Sequence, residues 1–257
     1  MEILLVAISA LLASALTLFS GFGLGTLLMP VIALFFPIEI AIATTAIVHL
    51  ANNLFKIALV GKYANRAVLL RFGVPAILCA FVGALVLGGL SGMSPLLEYP
   101  AFHRTIQILP VKCVIGTIIL LFVILELSPT FAAITLPRKY LPYGGMISGF
   151  FGGLSGHQGA FRSMFLLKAG LTKEELVATG ALLAMMVDLS RLSVYAVEIK
   201  TQYQHIEWSL VLIASLSAFL GAYGGSRMIK KVTMQAIQRI VSVLLGAVAL
   251  GLMSGVL

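Results

Sequence analysis

Long apolar stretches separated by short polar segments run along most of this chain. Five of them approach or exceed the roughly 20 residues that an α-helix needs to cross a bilayer. These stretches cover residues 68–90, 105–125, 171–197, 209–225 and 234–257. None shows the alternation of a transmembrane β-strand, and backbone polar groups in lipid must be satisfied within the protein. The pattern therefore predicts a polytopic, all-α membrane protein.

The full pattern predicts helices at 3–20, 24–36, 38–60, 67–90, 105–125, 143–153, 158–168, 171–197, 207–226 and 234–256. The helix at 24–36 and the pair at 143–153 and 158–168 are too short to cross alone. Each lies beside a glycine-rich break, GFGLG at 21–25 or GGLSGHQG at 152–159. Two short arms joined by a break are typical of a re-entrant hairpin, and eight plain spans remain the alternative.

The composition agrees with this class of protein. Of the 257 residues, 60% are hydrophobic and 10% are charged, whereas soluble domains carry about 25% charged residues. The opening apolar segment has Glu2 in place of a positive flank, so we expect a retained helix rather than a signal peptide. We interpret the net charge of +8 as a loop bias that orients the protein. The expected partner is the lipid bilayer, and we expect no nucleic-acid partner.

Two halves of the sequence repeat each other. A shift of 135 residues aligns Asn53 with Asp188. The same shift aligns Lys56 with Arg191, and similar apolar residues flank both pairs. Because polar residues are rare in these spans, their coincidence indicates duplication. The predicted parts are an N-terminal repeat at 1–125, a linker at 126–139 and a C-terminal repeat at 140–257.

The loop charges indicate how the two repeats are oriented. The segment 61–72 carries three basic residues, whereas its counterpart 196–207 has mixed charge. The next pair of equivalent loops shows the opposite charge bias. The loop 226–239 of the second repeat is basic, whereas the loop 91–104 of the first repeat is not. Basic loops tend to stay in the cytoplasm, so equivalent loops would face opposite sides of the membrane. The sequence therefore predicts inverted repeats, which are common in secondary transporters.

The glycine-rich breaks suggest a binding site for an anion. A helix that restarts after a break presents free N–H groups and the positive end of its dipole. At the second break Ser155, His157 and Gln158 add hydrogen-bonding groups, and Arg162 adds positive charge. The alternative is that the glycines only allow helices to pack closely.

Polar residues also form a stripe on the following helices. His49, Asn53 and Lys56 are spaced by three or four residues, so they share one helical face. Asp188 and Arg191 occupy the equivalent face of the second repeat. Ionisable groups inside spans are costly and often mark a transport pathway. The alternatives are that Asp188 only pairs with Arg191, that the basic side chains snorkel, and that His49 is a packing residue.

Other classes of function receive less support from the sequence. The four histidines are scattered without the spacing of a metal site, and no nucleotide-binding motif is present. An intramembrane enzyme or a membrane assembly factor is the rival class, but neither HExxH nor GxSxG occurs. We therefore predict that the protein is not an enzyme and has no metal or other cofactor.

The residues 21–53, GFGLGTLLMPVIALFFPIEIAIATTAIVHLANN, resemble the first-half signature of the TauE/SafE sulfite exporter family. GLSGHQGAFRSMFLLKAGLTKEELVATGA, at 153–181, is similar to its second-half counterpart, with HQGAFRS in place of a plainer glycine run. The resemblance covers nearly the whole chain. It implies a multi-pass permease of the inner membrane that moves sulfite and related anions, usually outward. It also implies that six glycines line the path: Gly21, Gly23, Gly25, Gly153, Gly156 and Gly159.

Together these observations predict a secondary transporter that exports a small anion such as sulfite or an organosulfonate, with an anion channel as the alternative. The predicted substrate-binding residues are Gly21, Gly23, Gly25, Asn53, Lys56, Gly153, Ser155, Gly156, His157, Gln158, Gly159, Arg162 and Arg191. The residues predicted for proton coupling are His49, His157 and Asp188, because such groups can change charge as access alternates. A homo-oligomer stays an open alternative.

Overall fold

The structure is a computed structural model that describes residues 2–20, 24–101, 104–128, 130, 134, 136–167, 169–198, 206–228 and 234–257. Over these residues the protein is built mainly from α-helices. The helices are α1 (Glu2–Ser20), α2 (Leu24–Ala33), α3 (Ile38–Val60), α4 (Arg66–Ser91), α5 (Pro110–Leu127), α6 (Leu141–Ser155), α7 (Gly159–Leu166), α8 (Lys173–Glu198), α9 (Trp208–Met228) and α10 (Met234–Met253). Two strands, β1 (Leu97–Ala101) and β2 (Arg104–Ile108), pair as an antiparallel hairpin.

The apolar helices make this an integral membrane protein. Among the described residues, three helical segments are long and apolar enough to cross a bilayer: Ile38–Tyr63, Arg66–Ser91 and Lys173–Val197. The outward face of α4 exposes large apolar side chains such as Leu70, Leu78 and Val82. Exposing such an apolar face to water is unfavourable, whereas contact with lipid chains avoids that free-energy cost.

The sequence prediction of a helix from residue 105 is wrong over its first residues. Residues 105–108 lie in β2, and the helix begins only at Pro110. Proline suits the first helical position because it lacks an N–H group, and it holds the preceding residue in an extended conformation. Leu109 has φ −86° and ψ 139°, as this restriction requires.

The β-hairpin is attached to the end of the last helix. The Tyr99 hydroxyl donates a hydrogen bond of 2.6 Å to the carbonyl of Ser254. Gly255, with φ of +76°, lies so close to β2 that a Cβ there would be 2.6 Å from the carbonyl oxygen of Gln107. Within the bundle, Gly116 of α5 meets Met253 of α10 at similarly short range. The β-hairpin and α5, which end the first half of the chain, are thus joined to the end of α10.

Glycines bring α4 and α6 into backbone contact. Gly145, Gly149 and Gly153 are spaced by four residues on one face of α6, and each lies directly against a backbone carbonyl of α4. A side chain at any of these positions would overlap with that carbonyl. On the other side of the molecule, Gly221 of α9 lies against the carbonyl of Leu11 in α1 in the same manner. Small residues at helix interfaces are the usual means of close packing in membranes.

The helices α3 and α8 pack against each other and position the polar side chains. The helix α3 also contacts α2 and α9, while α8 also contacts α4 and α6. Next to them the chain breaks between α6 and α7. Gly156 ends α6 with φ of +82°, a conformation that only glycine adopts readily, and α7 starts at Gly159. The second break therefore lies beside α8, which carries Asp188 and Arg191.

Candidate functional site

A buried carboxylate, Asp188 on α8, is the centre of the candidate site. Its Oδ1 accepts hydrogen bonds from Nη2 of Arg191 at 2.7 Å and from Nε of Arg191 at 3.1 Å. Both side chains are almost fully buried, with relative exposures of 0% and 1%. The predicted pairing within α8 therefore exists, and Arg191 does not snorkel towards the membrane surface.

The second oxygen of Asp188 binds residues of the first half of the chain. Oδ2 lies 2.6 Å from Nδ1 of His49 and 3.5 Å from Nδ2 of Asn53, both on α3. A carboxylate accepts hydrogen bonds, so Nδ1 of His49 carries the proton in this contact. The pairing within α8 is thus only part of the arrangement, since the same carboxylate joins α3 to α8.

Gln158, in the break before α7, extends this network towards Arg162. Its Nε2 donates to Oδ1 of Asp188 at 3.4 Å, and its Oε1 accepts from Nη1 of Arg162 at 3.4 Å. The carbonyl of Gln158 accepts a hydrogen bond of 3.0 Å from the hydroxyl of Ser148 on α6. The amide is thereby held in place and bridges an anionic and a cationic side chain.

Two cations near this network have little compensation. Lys56, at the same face of α3, is buried, and no hydrogen bond or ion pair joins it to another described residue. It lies within electrostatic reach of Arg162, and the two like charges repel each other. Arg162 is partly buried and reaches towards α8, where a Cβ at Gly180 would be 3.9 Å from its Nε.

The two glycine-containing regions approach each other beside Arg191. A Cβ at Gly25, in the first turn of α2, would be 3.6 Å from the carbonyl oxygen of Gly156 and 3.5 Å from Cγ2 of Thr45. A Cβ at Gly156 would be 2.8 Å from Nη1 of Arg191. Because glycine has no side chain, α2, α3 and the second break can converge here, and the guanidinium of Arg191 lies close to the buried backbone at Gly156.

Three buried polar atoms lack a hydrogen-bond partner among the described residues. They are Oγ1 of Thr45, Nδ2 of Asn52 and Nε2 of His157. The ring of His157 is held through Nδ1, which lies 3.1 Å from both the carbonyl and the hydroxyl of Ser155. It packs beside Phe122 of α5, with 5.2 Å between ring centroids. An unpartnered buried polar atom is costly, and a bound polar solute would offset that cost.

The residues that the sequence selected fall into three groups in the structure, and two further glycines lie outside it. His49, Asn53, Gln158, Arg162, Asp188 and Arg191 form one connected network, with Lys56 beside it. Gly25, Ser155, Gly156, His157 and Gly159 lie at or next to the second break. Gly153 lies within α6 and contacts α4, and its carbonyl accepts a hydrogen bond from the hydroxyl of Tyr195 on α8. Gly21 and Gly23 lie outside the described residues.

Several residues around the site were not selected from the sequence. Ser148 positions Gln158, and Phe122 covers one face of His157. Ser14 of α1 donates a hydrogen bond of 3.1 Å to Oδ1 of Asn52 on α3. The only signal for Ser14 and Ser148 is that a hydroxyl occurs within an apolar helix. Phe122 carries no signal, because phenylalanine is common throughout such helices.

The side chains of the site do not resemble a metal centre. Among the described residues, no group of three or more histidine, cysteine, aspartate or glutamate side chains lies close enough to hold a metal ion. The network consists instead of one carboxylate surrounded by cations and amides. Such a donor-rich set suits a negatively charged solute.

Comparisons with known proteins give a family for this arrangement. Residues 6–252 match the family model described as "Sulfite exporter TauE/SafE". A search of curated proteins finds no match. A search of solved structures also finds none. The family match extends over nearly the whole chain, so it includes both α3 and α8 and the break between α6 and α7.

Proposed function

Since this chain belongs to the TauE/SafE sulfite exporter family, a family of membrane transporters for sulfur-containing anions, we propose that it exports sulfite or a small organosulfonate across the inner membrane. The proposed protein is a multi-pass carrier that holds its substrate near the middle of the membrane. The substrate lies between α3, α8 and the break before α7.

The excess of cations over carboxylates is the observation that carries this proposal. Arg191 and Arg162 act on a single carboxylate, Asp188, and the buried Lys56 lies within electrostatic reach of Arg162, within the described part of the bundle. An unpaired buried charge is unfavourable unless an opposite charge and hydrogen bonds compensate for it. A bound sulfur oxyanion would provide both.

The groups that would contact the substrate have distinct roles. Lys56 and Arg162 attract the anion, and the first N–H groups of α7 and Nε2 of His157 donate hydrogen bonds to its oxygens. Arg191 is positioned by Asp188 and faces the backbone at Gly156. Gly25 and Gly156 keep side chains out of the space where α2 approaches the break.

The proposed carrier consists of two inverted repeats, at 1–125 and 140–257. Support comes from equivalent helix contacts under the 135-residue shift. This shift carries α4 onto α9 and α6 onto α1, and α4 packs along α6 as α9 packs along α1. The equivalent residues Asn53 and Asp188 also approach each other, at 3.5 Å. Exchanging the two halves thus preserves the main helix pairs.

Proton coupling is part of the same proposal. His49 donates to Asp188, and the cations Arg191 and Arg162 lie within electrostatic reach of His49. A histidine that gains a proton next to two cations becomes easier to accommodate when an anion is bound. Protonation of His49 and binding of the anion would therefore favour each other.

Sulfite flux in proteoliposomes tests this function. Wild-type protein is expected to give saturable flux, whereas a channel would give flux that rises in proportion to concentration. Arg162→Ala removes a charge from the site and is expected to lower the flux about tenfold or more. Arg66→Ala is the matched control, because Arg66 is exposed at the start of α4. Absence of sulfite flux in the wild type, or equal flux in Arg162→Ala, would contradict the proposed function or the proposed site, respectively.

A further inference from the structure

The charges around the central carboxylate do not balance. Arg191 and Asp188 neutralise each other through two hydrogen bonds, of 2.7 and 3.1 Å. With His49 neutral, Lys56 and Arg162 then remain as two positive charges. Lys56 is buried on the face of α3 that carries Asn53, and Arg162 is joined through Gln158 to Asp188, so both charges belong to the same cluster.

The other carboxylates of the described residues near these helices cannot compensate for Lys56 and Arg162. Glu39 is in the first turn of α3, about 25 Å along the helix from Lys56 at 1.5 Å per residue. Glu175 is exposed at the start of α8 and is already bonded to Asn65 and Thr172. The contact of Arg162 with Gln158 is with a neutral amide at 3.4 Å. Asp188 also attracts Arg162 but is already paired with Arg191, so positive charge exceeds negative charge among the described residues of this cluster.

We propose that this site selects anions that carry two negative charges, and that Lys56 with Arg162 determines this selectivity. The inference rests on the proposed transport of a sulfur-containing anion. The guanidinium of Arg162 binds two oxygens of the anion side by side, and the ammonium of Lys56 binds a third as a point charge. A singly charged anion of the same shape leaves one buried cation without a partner. Among sulfur oxyanions and organosulfonates, those with a second negative charge are then bound in preference to singly charged ones of similar size.

Sulfate and methanesulfonate form a suitable pair of probes. Both are tetrahedral and similar in size, but methanesulfonate has a methyl group in place of one oxygen and carries one negative charge. Binding of each is measured by titration calorimetry and by thermal shift on the purified protein, with sulfite as the reference ligand. The wild type is expected to bind sulfate at least about tenfold more tightly than methanesulfonate.

Variants at Lys56 test whether this residue recognises the second negative charge of the anion. Lys56→Gln is expected to reduce the preference for sulfate to about twofold or less, because one cation then remains for either anion. Lys56→Arg restores the charge and is expected to restore the preference. Lys62→Gln is the matched control, since Lys62 is exposed in the turn after α3, and it is expected to keep the wild-type preference. Thermal unfolding without ligand shows whether each variant is folded.

Each outcome of these titrations has a separate meaning. If sulfite does not bind to the wild type, the proposed function is wrong. If sulfite binds but sulfate and methanesulfonate bind equally well, the proposed transport stands and the inference on charge is overturned. If Lys56→Gln is folded and keeps the full preference for sulfate, Lys56 is not the residue that recognises the second charge.

Discussion

At the scale of single residues, the stability of the protein depends on how the buried negative charge of Asp188 is compensated. A carboxylate at zero exposure is tolerated because Arg191, His49, Asn53 and Gln158 all donate to it. Removing one member of a buried ion pair costs roughly 3–5 kcal/mol, since the other charge is left behind. Substitution of Asp188 would therefore disturb folding as well as transport. His49 is therefore the better residue at which to test proton coupling.

His49→Gln is expected to abolish the response of sulfite flux to an imposed pH gradient. Glutamine can still donate a hydrogen bond to Asp188, and the pair of Asp188 with Arg191 remains, but no proton can be taken up at this position. Flux is measured in proteoliposomes with and without the gradient, beside Arg66→Ala as a control. A full pH response in folded His49→Gln would remove His49 from the coupling mechanism.

The sequence predicted which residues lie together on one face of each helix, but it did not predict the contacts between the helices. The spacing in α3 put His49, Asn53 and Lys56 on one face, and this spacing holds in the structure because α3 is a regular helix. The contact of His49 with Asp188 joins residues 139 positions apart. Such a contact depends on how α3 and α8 cross, which no local pattern describes.

At the scale of elements, glycine spacing sets the distance between α4 and α6. The predicted boundaries of the helices differ from the structure mostly by one to three residues, as with 38–60 and Ile38–Val60. The error at 105–109 arose because apolar residues fit a strand as well as a helix, and Pro110 decides where the helix begins. The sequence left open whether the glycines of α6 serve packing, and their contacts with α4 show that they do.

Gly149→Val is expected to destabilise the protein by about 1–3 kcal/mol. Its side chain would overlap with the carbonyl of Ala76 on α4, so the two helices would have to separate. Gly89→Ala is the matched control, because a Cβ at Gly89 meets nothing within 4 Å. There the gain in helix propensity, about 1 kcal/mol, is expected to leave stability unchanged or higher. Both variants are compared with the wild type by their midpoints of thermal unfolding in detergent. A midpoint of Gly149→Val equal to that of the wild type would argue against close packing at Gly149.

At the scale of the whole molecule, the family and the membrane class could be predicted from the sequence, and the match over residues 6–252 confirms the resemblance. The glycine order and the duplicated polar residues carried that prediction. The inverted relation of the halves stays a proposal, because it depends on which side of the membrane each loop faces. Loop charge is a statistical guide to that question rather than a contact within the protein.

Cysteine labelling is expected to place equivalent positions of the two repeats on opposite sides of the membrane. Lys62 and Val197 correspond under the 135-residue shift, and both are exposed. In a background with Cys79→Ala and Cys113→Ala, an impermeant thiol reagent is expected to label Val197→Cys in intact cells. Lys62→Cys is expected to react only after the cells are permeabilised. Labelling of both from the same side would mean that the repeats are not inverted.

The attachment of the β-hairpin to the end of α10 has a consequence for experiments that follow motion. Tyr99 holds Ser254, and Gly116 of α5 meets Met253, so the end of the chain is fastened to the N-terminal half rather than to its own. A fluorophore attached at Leu257 would therefore report on the position of α5 and the β-hairpin. Paired with a second label on α8, it would measure any change in distance between this end of the bundle and the buried network.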